Sequence, residues 1–112
     1  MSITHFKSTT TILLPDTFPV AVPLSEPVAQ ITERCVTHDN NRESGIWECT
    51  PGKWRRQITQ QEFCHFTSGR CTFMPDDGEP IEIKAGDAII FPENSVGTWH
   101  IHDTVRKSYI LL

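Results

Sequence analysis

The chain has 112 residues, with 10 Lys plus Arg against 14 Asp plus Glu and a formal net charge of −4. An acidic balance cannot neutralise a phosphate backbone, which argues against nucleic acid as a partner. The longest apolar stretches, residues 88–91 and 109–112, fall far short of the ~20 residues that a helical bilayer crossing requires, so no membrane role is expected. The length matches one domain, and folding at that size buries roughly 65% of the extended chain's surface, so no metal or disulfide staple is needed. The first residues, Met1-Ser2-Ile3-Thr4-His5-Phe6-Lys7, lack the basic start and apolar core of a secretory signal. A cytoplasmic protein is expected, with Cys35, Cys49, Cys64 and Cys71 reduced and largely buried.

Residues 1–30 carry Pro15, Pro19, Pro23 and Pro27 at intervals of four. Each proline removes an N–H and pushes the preceding residue toward extended conformations, which excludes a helix and predicts short edge strands or polyproline-like segments. The apolar residues at 12–14, 18 and 20–22 are too many for a free tail, so this extended arm is expected to dock on the domain, residues 31–112, or on a partner subunit.

From Ser44 onward the text is strands broken by turn signals, the pattern of an all-β sandwich or barrel. Thr50-Pro51-Gly52-Lys53 suits a type II turn, and residues 54–58 then read as a strand. Residues 62–66 and 70–74 flank Ser68-Gly69 as a hairpin. Asp77-Gly78 separates the second of these from residues 81–84, whose alternation is that of a half-buried strand. Ala85-Gly86-Asp87 turns into residues 88–91. Residues 92–97 form a loop, and residues 98–103 and 106–112 make a last strand pair.

Glu62, six residues and Gly69, followed by Gly86-Asp87, four residues and Pro92, resemble the two halves of the cupin signature. More narrowly, several segments resemble the cupin_3 (DUF861) group, short cupins similar to EutQ-like proteins and to ureidoglycine aminohydrolase. These are the stretch from Gly45-Ile46-Trp47 to Lys53-Trp54, Glu62-Phe63-Cys64-His65-Phe66, Gly97-Thr98-Trp99 and Arg106-Lys107. The resemblance spans residues 45–112. It implies an RmlC-like jelly-roll β-barrel with a small-molecule pocket inside, assembled as a homodimer.

In metal-binding cupins a His-x-His pair precedes the glutamate by three or four residues, and a further His follows the second motif. Counting back from Glu62 lands on Arg55 and Gln57, or on Arg56 and Ile58, and counting forward from Pro92 lands on Gly97. Arg offers no lone pair and Gln is a weak neutral ligand, so a tightly held metal is not expected there. The resemblance places Glu62 inside the barrel, where a carboxylate without a metal must meet a cation or hydrogen bonds. Lys107 and Arg55 are the candidates.

The reading that follows is a barrel binding a small polar metabolite, an amino or carboxylic acid, with no cofactor. Glu62 and Lys107 would be its catalytic pair, and Arg55, Gln57 and Trp99 would contact the ligand. Trp99 lies two residues after Gly97 and shares its face. The alternatives are a non-catalytic binding or sensor module, and a metal-dependent enzyme with unusual ligands. His100 and His102, at i and i+2 on a strand, could chelate a divalent metal, but their parity directs them away from the cavity.

Overall fold

The computed structural model describes residues 2–112 and is almost entirely β. Eight strands follow one another: β1 (Phe18–Pro19), β2 (Gln30–Thr37), β3 (Glu43–Cys49), β4 (Gly52–Ile58), β5 (Glu62–Pro75), β6 (Ile81–Lys84), β7 (Ala88–Phe91) and β8 (Ser95–Leu111). The only helical element among the described residues is a 3-10 turn at Asp39–Asn41. All pairings are antiparallel. β5 and β8 form the spine, paired along their length from Glu62↔Leu111 to Pro75↔Gly97.

The N-terminal half of β8 carries β4 on its other edge and the C-terminal half carries β3, which in turn carries β2 and β1. β6 and β7 line up along the outer edge of β5. The two long strands thus belong to both layers of a jelly-roll barrel. The apolar core lies between the layers, with Trp99, Phe66, Phe73, Ile83, Ile101 and Val105 almost wholly removed from water.

Two hairpins read from the sequence are single bent strands. Ser68-Gly69 is no turn: β5 continues through it with register shifts between Phe66 and Cys71. Gly69 takes φ +85° and lies so close to the backbone of Thr104 that no Cβ could fit. A glycine needed for a bulge looks the same in sequence as a glycine needed for a hairpin. Likewise residues 98–103 and 106–112 belong to one strand, β8, because the chain bends through Asp103-Thr104-Val105 without leaving the ladder. The turns at residues 76–78 and 85–87 are present, the latter pinned by Gly86 N donating to Phe66 O at 2.8 Å and Phe66 N to Asp87 O at 2.9 Å.

The first part of the proline-spaced arm, residues 9–15, lies on the outer face of β2, β3 and β8, and residues 18–24 pair along the edges of β2 and β4. Thr32 Oγ1 donates to Pro15 O at 2.6 Å, and Arg106 Nη1 donates to Thr9 O at 3.1 Å and Ile12 O at 2.8 Å, while Arg106 Nε holds Glu48 at 3.1 Å. Arg106 sits on the even-numbered, outward side of β8, and its buried guanidinium supplies donors to carbonyls that would otherwise face solvent. Val20 goes further and joins the core.

All four cysteines are free, Cys35 exposed and Cys49, Cys64 and Cys71 buried. Burial pushes the three buried thiols up to about 12. Since the thiolate is the reactive form, native protein is expected to show one thiol accessible to an alkylating reagent and four after unfolding. Mass spectrometry checks it. Labelling of Cys64 or Cys71 at a rate matching Cys35 would contradict their burial.

Candidate functional site

A cavity of about 170 Å³ opens between the layers. Its residues follow from strand parity. On β3 and β8 the odd-numbered side chains face inward, and the register Glu33↔Trp47↔Lys107↔Phe66 runs as one row across β2, β3, β8 and β5. From the other layer, Trp54 pairs with Trp99 and Arg56 with Gly97. Trp47, Trp54 and Trp99 form a triangle with ring centroids 6.2 to 6.4 Å apart. Trp54 Nε1 has no acceptor at hydrogen-bonding geometry, although the Cys49 thiol is near enough for the indole to favour its ionisation.

At one end of the cavity Lys107 Nζ donates to Glu62 Oε2 at 2.6 Å, with both side chains 7% exposed. The same ammonium stands 4.5 Å from the Trp47 ring centre and 5.7 to 5.9 Å from those of Phe66, Trp99 and Tyr109. A buried charge pair flanked by aromatic faces is held electrostatically from several sides. At the other end Tyr109 Oη donates to Glu43 Oε2 at 2.5 Å, and Glu33 lies close by. Burial, then the negative charge of Glu43, raises the Glu33 carboxyl above its ordinary range, against the opposing pull of Arg56, Lys107 and Tyr109.

The sign of that shift sets a pH dependence. A carboxyl whose folded pKa lies above its unfolded value of 4.5 contributes stability below that value and loses it as pH rises through the folded one. Glu33→Gln is therefore expected to raise the melting temperature at pH 7, with the gain shrinking as pH falls below 4.5. Melting curves across pH check this; a variant less stable than the parent at pH 7 would contradict it.

Of the residues read from sequence, Glu62, Lys107 and Trp99 meet at this cavity. Arg55 and Gln57 do not. The inward face of β4 is Trp54, Arg56 and Ile58, so Arg55 points outward, where it forks onto Asp76 with two 2.7 Å bonds and reaches Thr98 Oγ1 at 3.0 Å. Gln57 is exposed on the same outer side. The residues at the positions of the family's His pair are thus Arg56 and Ile58.

Neither can ligate a cation, and at Gly97 a Cβ would meet the Phe73 ring at 2.7 Å, so no ligand side chain fits. The donor set does not suit a metal, and Glu62 is already engaged by an ammonium. His100 and His102 lie on the outer face with rings 4.1 Å apart, and His102 Nε2 is 2.9 Å from Thr72 Oγ1. No group of three or more His, Cys, Asp or Glu side chains gathers at metal-binding distance among the described residues. Glu33, Glu43 and Tyr109 are not picked out by sequence reasoning, and Arg56 enters it only as the alternative to Arg55 in counting back from Glu62. The signal that could have found them is the shared odd parity of Ile31 with Glu33 and of Trp47 with Glu43.

A jelly-roll barrel with a polar-floored aromatic cavity is the architecture of a cupin. Residues 36–109 match the model of the EutQ-like cupin domain, Cupin_3, and the chain belongs to that family. Among solved structures it is similar to the EutQ protein of Clostridium difficile, at 15% identity over 93% of this chain and 82% of that one, with a TM-score of 0.72. A protein of the DUF861 family from Pseudomonas syringae pv. tomato is 18% identical over 94% of this chain and 46% of that one, TM-score 0.76. These two likenesses are of fold. A DUF861 family protein from Thermotoga maritima is 28% identical over 60% of this chain and 76% of that one, TM-score 0.58. No curated protein matches the sequence.

Proposed function

We propose that the protein binds a small polar metabolite, an amino or carboxylic acid, inside its barrel and acts on it by metal-independent acid/base chemistry. The observation that carries this reading is the Glu62–Lys107 pair, closed off from water yet lining the cavity. At about 170 Å³ the cavity is smaller than the ~300 to 1,000 Å³ of sites for drug-sized ligands, which suits a metabolite of few heavy atoms. In such a site Glu62 takes a proton from the ligand as general base, and the Lys107 ammonium stabilises the anion that forms.

A second reading, a binding or sensor module without turnover, is favoured by one feature: Glu62 and Lys107 satisfy each other, so neither is left free in the resting protein. A panel of small amino and carboxylic acids, assayed for both binding and product formation, separates the two. On the enzyme reading Glu62→Gln abolishes turnover while a ligand still binds. Binding with no turnover of any bound compound by the parent protein supports the sensor.

A further inference from the structure

We propose that the end of the cavity formed by Glu33, Glu43 and Tyr109 is the seat of a ligand's primary ammonium group, so that the barrel selects small amines and amino acids over plain carboxylic acids. This rests on the reading that the barrel cavity is the ligand site, and it narrows the class of ligand.

The charge count points there first. Three carboxylates, Glu33, Glu43 and Glu62, line the cavity against two cations, Arg56 and Lys107. Lys107 is committed to Glu62, while Arg56 is an exposed residue whose charge offsets that of Glu33 only in part. Glu33 and Glu43 are left facing the cavity with the hydroxyl of Tyr109 as their shared donor, bonded to Glu43. A hydroxyl has one proton to give, whereas two carboxylates present about four acceptor sites. An ammonium brings three donors and the missing positive charge.

The walls give an independent reason. Trp47, Trp99 and Tyr109 already hold one ammonium over their faces, that of Lys107, and these rings also line the cavity. The quadrupole that favours Lys107 favours a second cation brought against the same walls, provided the carboxylates screen the two charges from each other. Trp54, 4% exposed and lining the same cavity, adds a further aromatic ring to these walls. A carboxylate placed at the Glu33 end would meet two like charges instead, and like charges at close range are unfavourable by kilocalories in a desolvated site.

The test uses the full chain and three probes of similar size: n-propylammonium, n-propanol and propionate. The indole N–H resonances of Trp47, Trp54 and Trp99 report any molecule entering the barrel. With probes of four or five heavy atoms, dissociation constants near ~1 mM are expected, so titration to ~10 mM suffices. The proposal expects propylammonium to move the indole resonances and propionate to leave them unmoved.

Glu33→Gln and Glu43→Gln should each weaken propylammonium binding by roughly tenfold while the three indole signals stay dispersed. If propionate or propanol binds as well as propylammonium, the ammonium seat is wrong while the barrel remains the ligand site. If none of the three moves the indoles, both the seat and the barrel reading fail. The parent protein alone decides among these, so the outcome does not hang on either variant folding.

Discussion

Replacing Lys107 with methionine is expected to cost the fold about 3 to 5 kcal/mol, because it strands the buried Glu62 carboxylate without its ion-pair partner. The pair is 2.6 Å apart with both side chains 7% exposed, so water does little to screen it. The reverse change, Glu62→Gln, is expected to sit at the lower end of that range. Its orphaned ammonium still stands over the rings of Trp47, Phe66, Trp99 and Tyr109, which lessens the charge's cost. The double variant removes both charges and should be more stable than the sum of the single changes predicts, with a coupling of at least ~1 kcal/mol. Urea unfolding of the four proteins measures it. Two single changes of under ~1 kcal/mol that simply add would show that the cavity is open to water and the pair acts as a surface ion pair.

How much of this was legible in the sequence can be judged residue by residue. The all-β class and the barrel were within reach, because Asp77-Gly78 and Ala85-Gly86-Asp87 are real turns and the strands between them alternate. Glu62, Trp99 and Lys107 were found because each sits in a segment whose parity is anchored by a motif. Arg55 and Gln57 were misplaced for a definite reason. Three residues separate Ile58 from Glu62, and nothing in the sequence says whether the chain uses them to keep or to reverse its facing. The register Arg56↔Gly97 answers that, and it is a long-range pairing that only the fold reveals.

Glu33 and Glu43 escaped notice for a different reason. They lie in β2 and at the start of β3, ahead of the first segment read as a strand, and the polar residues around them weaken the alternation. In sequence the long strands β5 and β8 each read as two, because a bulge at Gly69 and a bend at Thr104 leave the same marks as turns.

Trp99→Ala is expected to lower stability by about 3 to 5 kcal/mol, the range for removing a large buried aromatic. Trp99 is 1% exposed and touches two groups of rings at once: Phe73 at 4.8 Å and Phe91 at 5.9 Å on the core side, Trp47 and Trp54 at 6.3 and 6.4 Å on the cavity side. It is therefore both packing and wall, and the two contributions separate by experiment. Trp99→Phe keeps an aromatic edge against Phe73 but leaves space toward the cavity, so it should cost only about 1 to 2 kcal/mol.

At roughly 4 °C per kcal/mol for a chain of this size, the alanine variant should melt some 12 to 20 °C below the parent. The void it leaves is lined mainly by Phe66, Phe73, Phe91 and Trp47, an apolar surface of the kind that takes up small aromatic molecules. Added indole should then raise the melting temperature of Trp99→Ala and leave the parent's unchanged, since only a ligand that binds the folded state alone shifts the equilibrium. A loss under ~1 kcal/mol in the alanine variant would mean that the aromatic layer is loosely packed, and that Trp99 can be removed without disturbing the floor on which Glu62 and Lys107 meet.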